Sequence, residues 1–174
     1  MRNFKKLILV LTVIAMVSCG EKKEKEQINL NDNSDGAAEN VTKEKSTQDE
    51  NVIEISITGN DQMQYNLKEM KVKAGQTVRV TLKHVGKMDK NVMGHNWVLL
   101  SSGTDIIEFG TQAMSSKETD YIPAGTDKVI AHTKLLGGGE SDTIEFVAPA
   151  AGTYDFICSF PGHYALMKGK FIVE

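Results

Sequence analysis

The segment Cys158-Ser159-Phe160-Pro161-Gly162-His163-Tyr164-Ala165-Leu166-Met167 constrains this chain more than any other stretch. It sets a thiol, an imidazole and a thioether at the spacing C-x4-H-x3-M. Pro161 and Gly162 between them enforce a turn, so the segment is a loop and not a helix. A loop can bend three side chains toward one point, whereas a strand sends alternate residues to opposite faces. Soft sulfur together with imidazole is a donor set that favours copper. A further imidazole is offered upstream by His95, within Met93-Gly94-His95-Asn96-Trp97. Two histidines and a thiolate in a trigonal plane, with a distant axial methionine, form the arrangement of copper centres that pass electrons. Taken singly, a buried cysteine behaves as a small hydrophobe and a methionine near a chain end as core. The weight rests on the combination.

The two stretches Asn91–Leu99 and Cys158–Gly169 resemble the copper-binding segments of the azurins, which are bacterial cupredoxins. Gly59–Asn66, Val129–Leu135 and Gly139-Glu140 share the resemblance, which runs from about residue 52 to the C-terminus and includes nothing earlier. It implies an all-β domain, an eight-stranded Greek-key β-sandwich with one short helical insertion. It also implies a single type 1 copper held by His95, Cys158, His163 and Met167, with the Gly94 carbonyl opposite Met167 as a distant contact. Asn96 matches the position that ties the two ligand loops together. His84 matches a buried position near the site and His132 a surface one, and both read as structural. Azurins carry a disulfide whose positions fall near Ile53 and Gly75; this chain has no cysteine there, and no disulfide is expected.

Length and composition agree with one domain plus accessories: 174 residues, 40% hydrophobic and 25% charged. A net charge of -3 argues against nucleic acid, which selects a basic face. Two cysteines are too few for a disulfide framework.

The N-terminus has its own logic. Met1–Lys6 is basic, and the apolar run Leu7–Val17 is too short to span a bilayer as a helix. Residues 1–18 therefore read as an export signal. Its end, Ala15-Met16-Val17-Ser18-Cys19-Gly20, resembles a bacterial lipobox, in which the cysteine becomes lipidated, although Met16 replaces the usual leucine. The alternative is an ordinary secretory signal, with Cys19 discarded or left as a free thiol. Residues 19–51 form a charged linker. From position 20 they hold five lysines against nine acids, with almost no aliphatic content. Such a segment cannot bury enough apolar surface to offset its chain entropy. It reads as a disordered tether with a reach of roughly 30 Å.

From Val52 the pattern turns to strands. Val52–Ile57 and Thr77–Leu82 alternate apolar and polar residues. Further strands are expected at Met70–Lys73, Asn96–Leu100, Lys128–Thr133, Asp142–Val147, Thr153–Cys158 and Lys170–Val173. Short strands at regular spacing predict an antiparallel sandwich spanning 52–174, with Trp97 in its core. A helix is expected between Asp105 and Ser116, with Ile106, Ile107, Phe109 and Met114 as its apolar face. Gly137-Gly138-Gly139 reads as a flexible turn; it lacks the strand-to-helix context of a nucleotide loop.

Four protein donors leave no open coordination position, the mark of a catalytic metal, so the expected role is electron carriage in the cell envelope and not catalysis. No catalytic triad or acid–base carboxylate pair stands out. The resemblance implies that His163 is the electron port, amid an apolar patch drawn from Met63, Met88, Val92, Met93, Phe160, Pro161, Gly162 and Ala165. Such a patch suits brief contacts with redox proteins such as c-type cytochromes or copper reductases and oxidases. The membrane would be reached through lipidated Cys19. Copper storage or delivery, a structural zinc and a catalytic copper domain are the competing readings. Thioether is a poor zinc ligand.

Overall fold

The structure is a computed structural model that describes residues 51–174. The expected signal, Cys19 and all but the last residue of the linker lie outside the described residues. Nine strands form two sheets: β1 (Val52–Asn60), β2 (Gln64–Tyr65), β3 (Glu69–Val72), β4 (Thr77–His84), β5 (Val98–Leu100), β6 (Val129–His132), β7 (Ser141–Val147), β8 (Gly152–Ile157) and β9 (Lys168–Val173). One sheet runs β2-β1-β4-β7 and the other β3-β9-β8-β5-β6. The eight expected strands are all present; the two-residue β2 is additional.

Period-two alternation builds the sandwich. Along β4, Val78, Val80, Leu82 and His84 point inward while Thr77, Arg79, Thr81 and Lys83 face out or lie at the margin. Trp97 is fully buried, its ring centroid 6.0 Å from that of Phe146, 5.9 Å from Phe156 and 6.3 Å from Phe171. Truncating a ring so placed typically costs about 3–5 kcal/mol. The strand expected from Asn96 begins instead at Val98. The Asn96 side chain and the Trp97 N–H bond to side and main chains of neighbouring loops, so neither residue joins the ladder.

The pairing is not wholly antiparallel. β1 runs parallel to β4, and β3 parallel to β9. Parallel neighbours need a crossover of a dozen or more residues; the chain leaves β1, passes through β3 in the other sheet and returns to β4. Periodicity within a strand carries no trace of this, because the pattern is the same for either pairing.

Two helices interrupt the strands, α1 (Lys90–Met93) and α2 (Ile106–Ala113). Asp89 caps α1 through the Asn91 N–H, and Asp105 caps α2 by accepting from Ile107 N and Glu108 N, each at 2.8 Å. The face that α2 buries is Phe109, Gly110 and Ala113. Ile107 and Met114, expected on the apolar face, are 69% and 47% exposed. The small residues explain the rotation: Gly110 lies so close to the Tyr164 ring that a Cβ would stand 2.4 Å from it. Phe109 is fully buried and Ile106 packs against the core as expected, so the close approach at Gly110 leaves only Ile107 and Met114 outside. The glycine run is likewise pinned: Gly138 N donates to Met88 O and Gly139 N to His84 O, both at 2.9 Å.

Gly169 in β9 tests the tightness of this packing. A Cβ there would lie 2.3 Å from Phe156 Cζ and 2.5 Å from the Lys68 carbonyl. Gly169→Ala should therefore lower stability in a urea melt, by about 1–3 kcal/mol as overpacked cores do. Gly152→Ala, whose Cβ meets nothing closer than 3.5 Å, should change stability by less than about 0.5 kcal/mol.

Candidate metal centre

One end of the sandwich gathers the loops that carry the donor residues. Cys158 follows β8, and its N–H donates to Met167 O at 2.9 Å, just ahead of β9. Pro161 and Gly162 then reverse the chain, Gly162 at φ +80, and His163 opens a single 3-10 turn, His163–Ala165. His163 N donates to Phe160 O (2.9 Å), while Leu166 N and Met167 N both return to His163 O (3.0 and 2.8 Å). The loop is thus tied at each donor. His95 lies between α1 and β5, fixed by a reciprocal pair of bonds with Leu136 (3.0 and 2.8 Å). Gly94 before it adopts an ordinary φ of −66. Glycine is required there for space, since a Cβ would stand 2.5 Å from Lys90 O and 2.9 Å from the Phe160 ring.

Cys158 Sγ stands 4.0 Å from His95 Nδ1, 3.6 Å from His163 Nδ1 and 3.8 Å from the Gly94 carbonyl oxygen. The sulfur and ring-nitrogen donors lie within 4.8 Å of one another. His95 Nε2 is 2.9 Å from Asn60 O. A carbonyl only accepts, so this nitrogen carries the proton and Nδ1 turns its lone pair toward the sulfur. Met167 is fully buried, and its methyl carbon and the His95 ring both press on Gly59, where a Cβ would lie 3.2 Å from one and 2.9 Å from the other. The sequence placed His95, Cys158, His163 and Met167 at one point, and the structure brings them together.

Their protonation decides what fits. Burial pushes the Cys158 thiol up to about 12, although the N–H groups of Asn96 and Phe160 and the Tyr65 hydroxyl at the sulfur pull the other way. Burial also lowers His163 to about 4, with repulsion from His95 and His84 adding to it, and lowers His95 as well. Both imidazoles are therefore neutral at pH 7, with free electron pairs. A thiolate in such a place needs a positive charge beside it. No lysine or arginine of the described core supplies one. A soft cation taking sulfur, two imidazoles and a thioether satisfies every donor, and copper is the metal whose preferences match.

Asn96 ties the loops as expected. Its Oδ1 accepts from Ser159 N (2.9 Å), and its Nδ2 donates to Ser159 Oγ and to Asp120 O (2.8 Å each). His84 is buried with its ring edge-on to His95, centroids 4.3 Å apart, and His132 is at the surface. Of the expected patch, Met88, Val92, Gly162 and Ala165 are exposed, Met63, Met93 and Pro161 partly so. Phe160 is instead buried, with Tyr121 5.2 Å and His163 4.6 Å from its ring, which removes it from the patch. Leu166, 57% exposed, takes a place there that the sequence left unassigned. Also missed were Asn60 and Gly59, which act through a main-chain carbonyl and an absent side chain. Neither leaves a residue-type signal.

Residues 51–174 match the family model described as copper binding proteins, plastocyanin/azurin family. The azurin of Achromobacter denitrificans is 51% identical over 122 residues, covering 67% of this chain and 80% of that protein. The azurin of Pseudomonas chlororaphis is 42% identical over 125 residues, covering 69% and 97%. Among solved structures, reduced auracyanin from Roseiflexus castenholzii superposes with a TM-score of 0.64 at 39% identity, covering 70% of this chain and 96% of that one. Auracyanin A of Chloroflexus aurantiacus, described as a "blue" copper protein, gives 0.64 at 35%, covering 71% and 99%. With its buried His95, Cys158, His163 and Met167 converging as a copper site requires, the chain belongs to the plastocyanin/azurin family of copper-binding proteins.

Proposed function

We infer that this protein is a one-electron carrier of the blue-copper type and not an enzyme. The observation that carries the reading is the closure of the donor set. Cys158, His95 and Met167 are fully buried and His163 only 3% exposed, which leaves no room for a substrate at the metal. Copper supplies the Cu(II)/Cu(I) couple. The chain does the rest: Asn60 fixes the His95 tautomer, Asn96 locks the two loops together, and the hydrogen-bonded turn at His163 holds its ring in place. Donors held this firmly shift little between oxidation states, so little reorganisation opposes each transfer. The Gly94 carbonyl, 3.8 Å from the Cys158 sulfur, would stand near enough to add a further, distant contact to copper.

His163 is the one donor with any exposure, so it is the port through which the electron passes. Around it, Met88, Val92, Ala165 and Leu166 offer an apolar rim suited to brief contact with c-type cytochromes or copper reductases and oxidases. A copper-delivery protein must release its cargo, which burial of the donors opposes.

The domain works in the cell envelope, following an export signal at residues 1–18 and a tether at 19–51 that begins at a lipidated Cys19. The motif at Cys19 and the apolar-poor charged composition after it support this part. Several acyl chains hold a protein firmly at a membrane where one does not.

Three experiments test the reading. Cys158→Ser should abolish the intense sulfur-to-copper absorption in a protein that still folds, because a hydroxyl cannot act as a soft thiolate; retained colour would remove Cys158 from the site. Met167→Leu should keep copper and colour and raise the midpoint potential in voltammetry, since an axial thioether donates weakly to Cu(II). Complete loss of copper from that variant would contradict the axial role. Cys19→Ala should block normal processing or release the protein to the soluble fraction, whereas wild type fractionates with membranes. A wholly soluble wild type with an unmodified N-terminus would end the tether proposal.

A further inference from the structure

Tyr65, the last residue of β2, belongs to no ligand loop, yet its side chain reaches the copper end. The residue is 4% exposed, and its ring lies 5.8 Å from that of Phe156. Its hydroxyl donates to the main-chain carbonyl of Asn96. That carbonyl is buried, and the Tyr65 hydroxyl is its only donor among the described residues. A buried carbonyl without a partner carries a desolvation cost, so the phenol has a fixed task. The N–H groups of Asn96 and Phe160 are the backbone donors at the Cys158 sulfur.

Asn96 is thereby gripped at two points. Its side chain is bonded to Ser159 and Asp120, and its carbonyl to Tyr65. Its N–H, fixed between those anchors, faces the sulfur. Hydrogen bonds at a coordinating sulfur draw electron density away from the metal and so favour the reduced state. A phenylalanine would fill the same volume and keep the contact with Phe156. Only the oxygen distinguishes the two side chains.

We propose that the Tyr65 hydroxyl is a positioning group for the copper centre: by holding the Asn96 carbonyl, it keeps the Asn96 N–H turned to the Cys158 sulfur and so raises the reduction potential. The proposal rests on the blue-copper reading above. Its effect is on the electron density at sulfur, beyond any contribution to stability.

The test is voltammetry and visible spectroscopy on the copper-loaded full chain, with amide hydrogen exchange on the copper-free chain. Tyr65→Phe should stay blue, with a shifted charge-transfer band and a lower midpoint potential. At a fixed electrode potential its Cu(II)/Cu(I) ratio should rise several-fold. In the copper-free chain the Ser159 and Trp97 amides should exchange several-fold faster. A ring-fluorinated tyrosine introduced at position 65 keeps the shape and hydroxyl but donates more strongly, and it should move the potential upward. This arm also decides the matter if Tyr65→Phe does not fold. Phe156→Leu loosens the ring contact and spares the hydroxyl, so it should lower stability and leave the potential in place. The inference is overturned if the Tyr65 variants keep the wild-type potential and band, or if Phe156→Leu shifts the potential as far as Tyr65→Phe. A wild type that never turns blue would instead overturn the copper reading itself, and this inference with it.

Discussion

A sulfur buried between two imidazole nitrogens has little to gain until a cation joins it, and the rest of this structure serves that arrangement. Burial alone drives the Cys158 thiol toward its protonated form and both histidines toward neutrality. The three groups then offer electron pairs to one point and have no charge of their own with which to repel or attract. Bonds outside the donor set also hold these groups in place. The main-chain link from Cys158 to Met167, the reciprocal pair between His95 and Leu136 and the Asn96–Ser159 bridge do so. The sandwich thus supplies the bonds that would hold the donors in place around copper.

Much of this was legible in the chain. The turn-forming Pro161-Gly162 inside C-x4-H-x3-M forces donors onto one loop, and alternation in Thr77–Leu82 announces a half-buried strand. What escaped was carried by groups without identity in a sequence. Asn60 contributes a carbonyl that any residue possesses, and Gly59 contributes empty space beside Met167. The parallel pairings escaped because a strand's own pattern does not name its neighbour. Half of the α2 face was legible, since Phe109 and Ile106 do face the core; Ile107 and Met114 do not, because a ring is seated on Gly110.

The patch at the copper end shows the same division. The family resemblance set Phe160 in the patch with Met88 and Val92, but its ring packs between Tyr121 and His163. It supports the ligand from within. Leu166 lies outside because the 3-10 turn after His163 swings it away while directing Met167 inward. Adjacent residues thus divide the work: one faces a partner and the other the metal.

The pairing of β3 with β9 fixes the order in which the molecule can be completed. It joins residues 69–72 to residues 170–173, the two ends of a long excursion through both sheets. Contacts so distant along the chain close slowly, because loop entropy must be spent before any bond is gained. The second sheet cannot acquire its β3 edge until β9 is in place, and the Cys158–Met167 loop leads directly into β9. The donor loop and the edge of the second sheet therefore meet at one strand, and a substitution that loosens β9 reaches both at once.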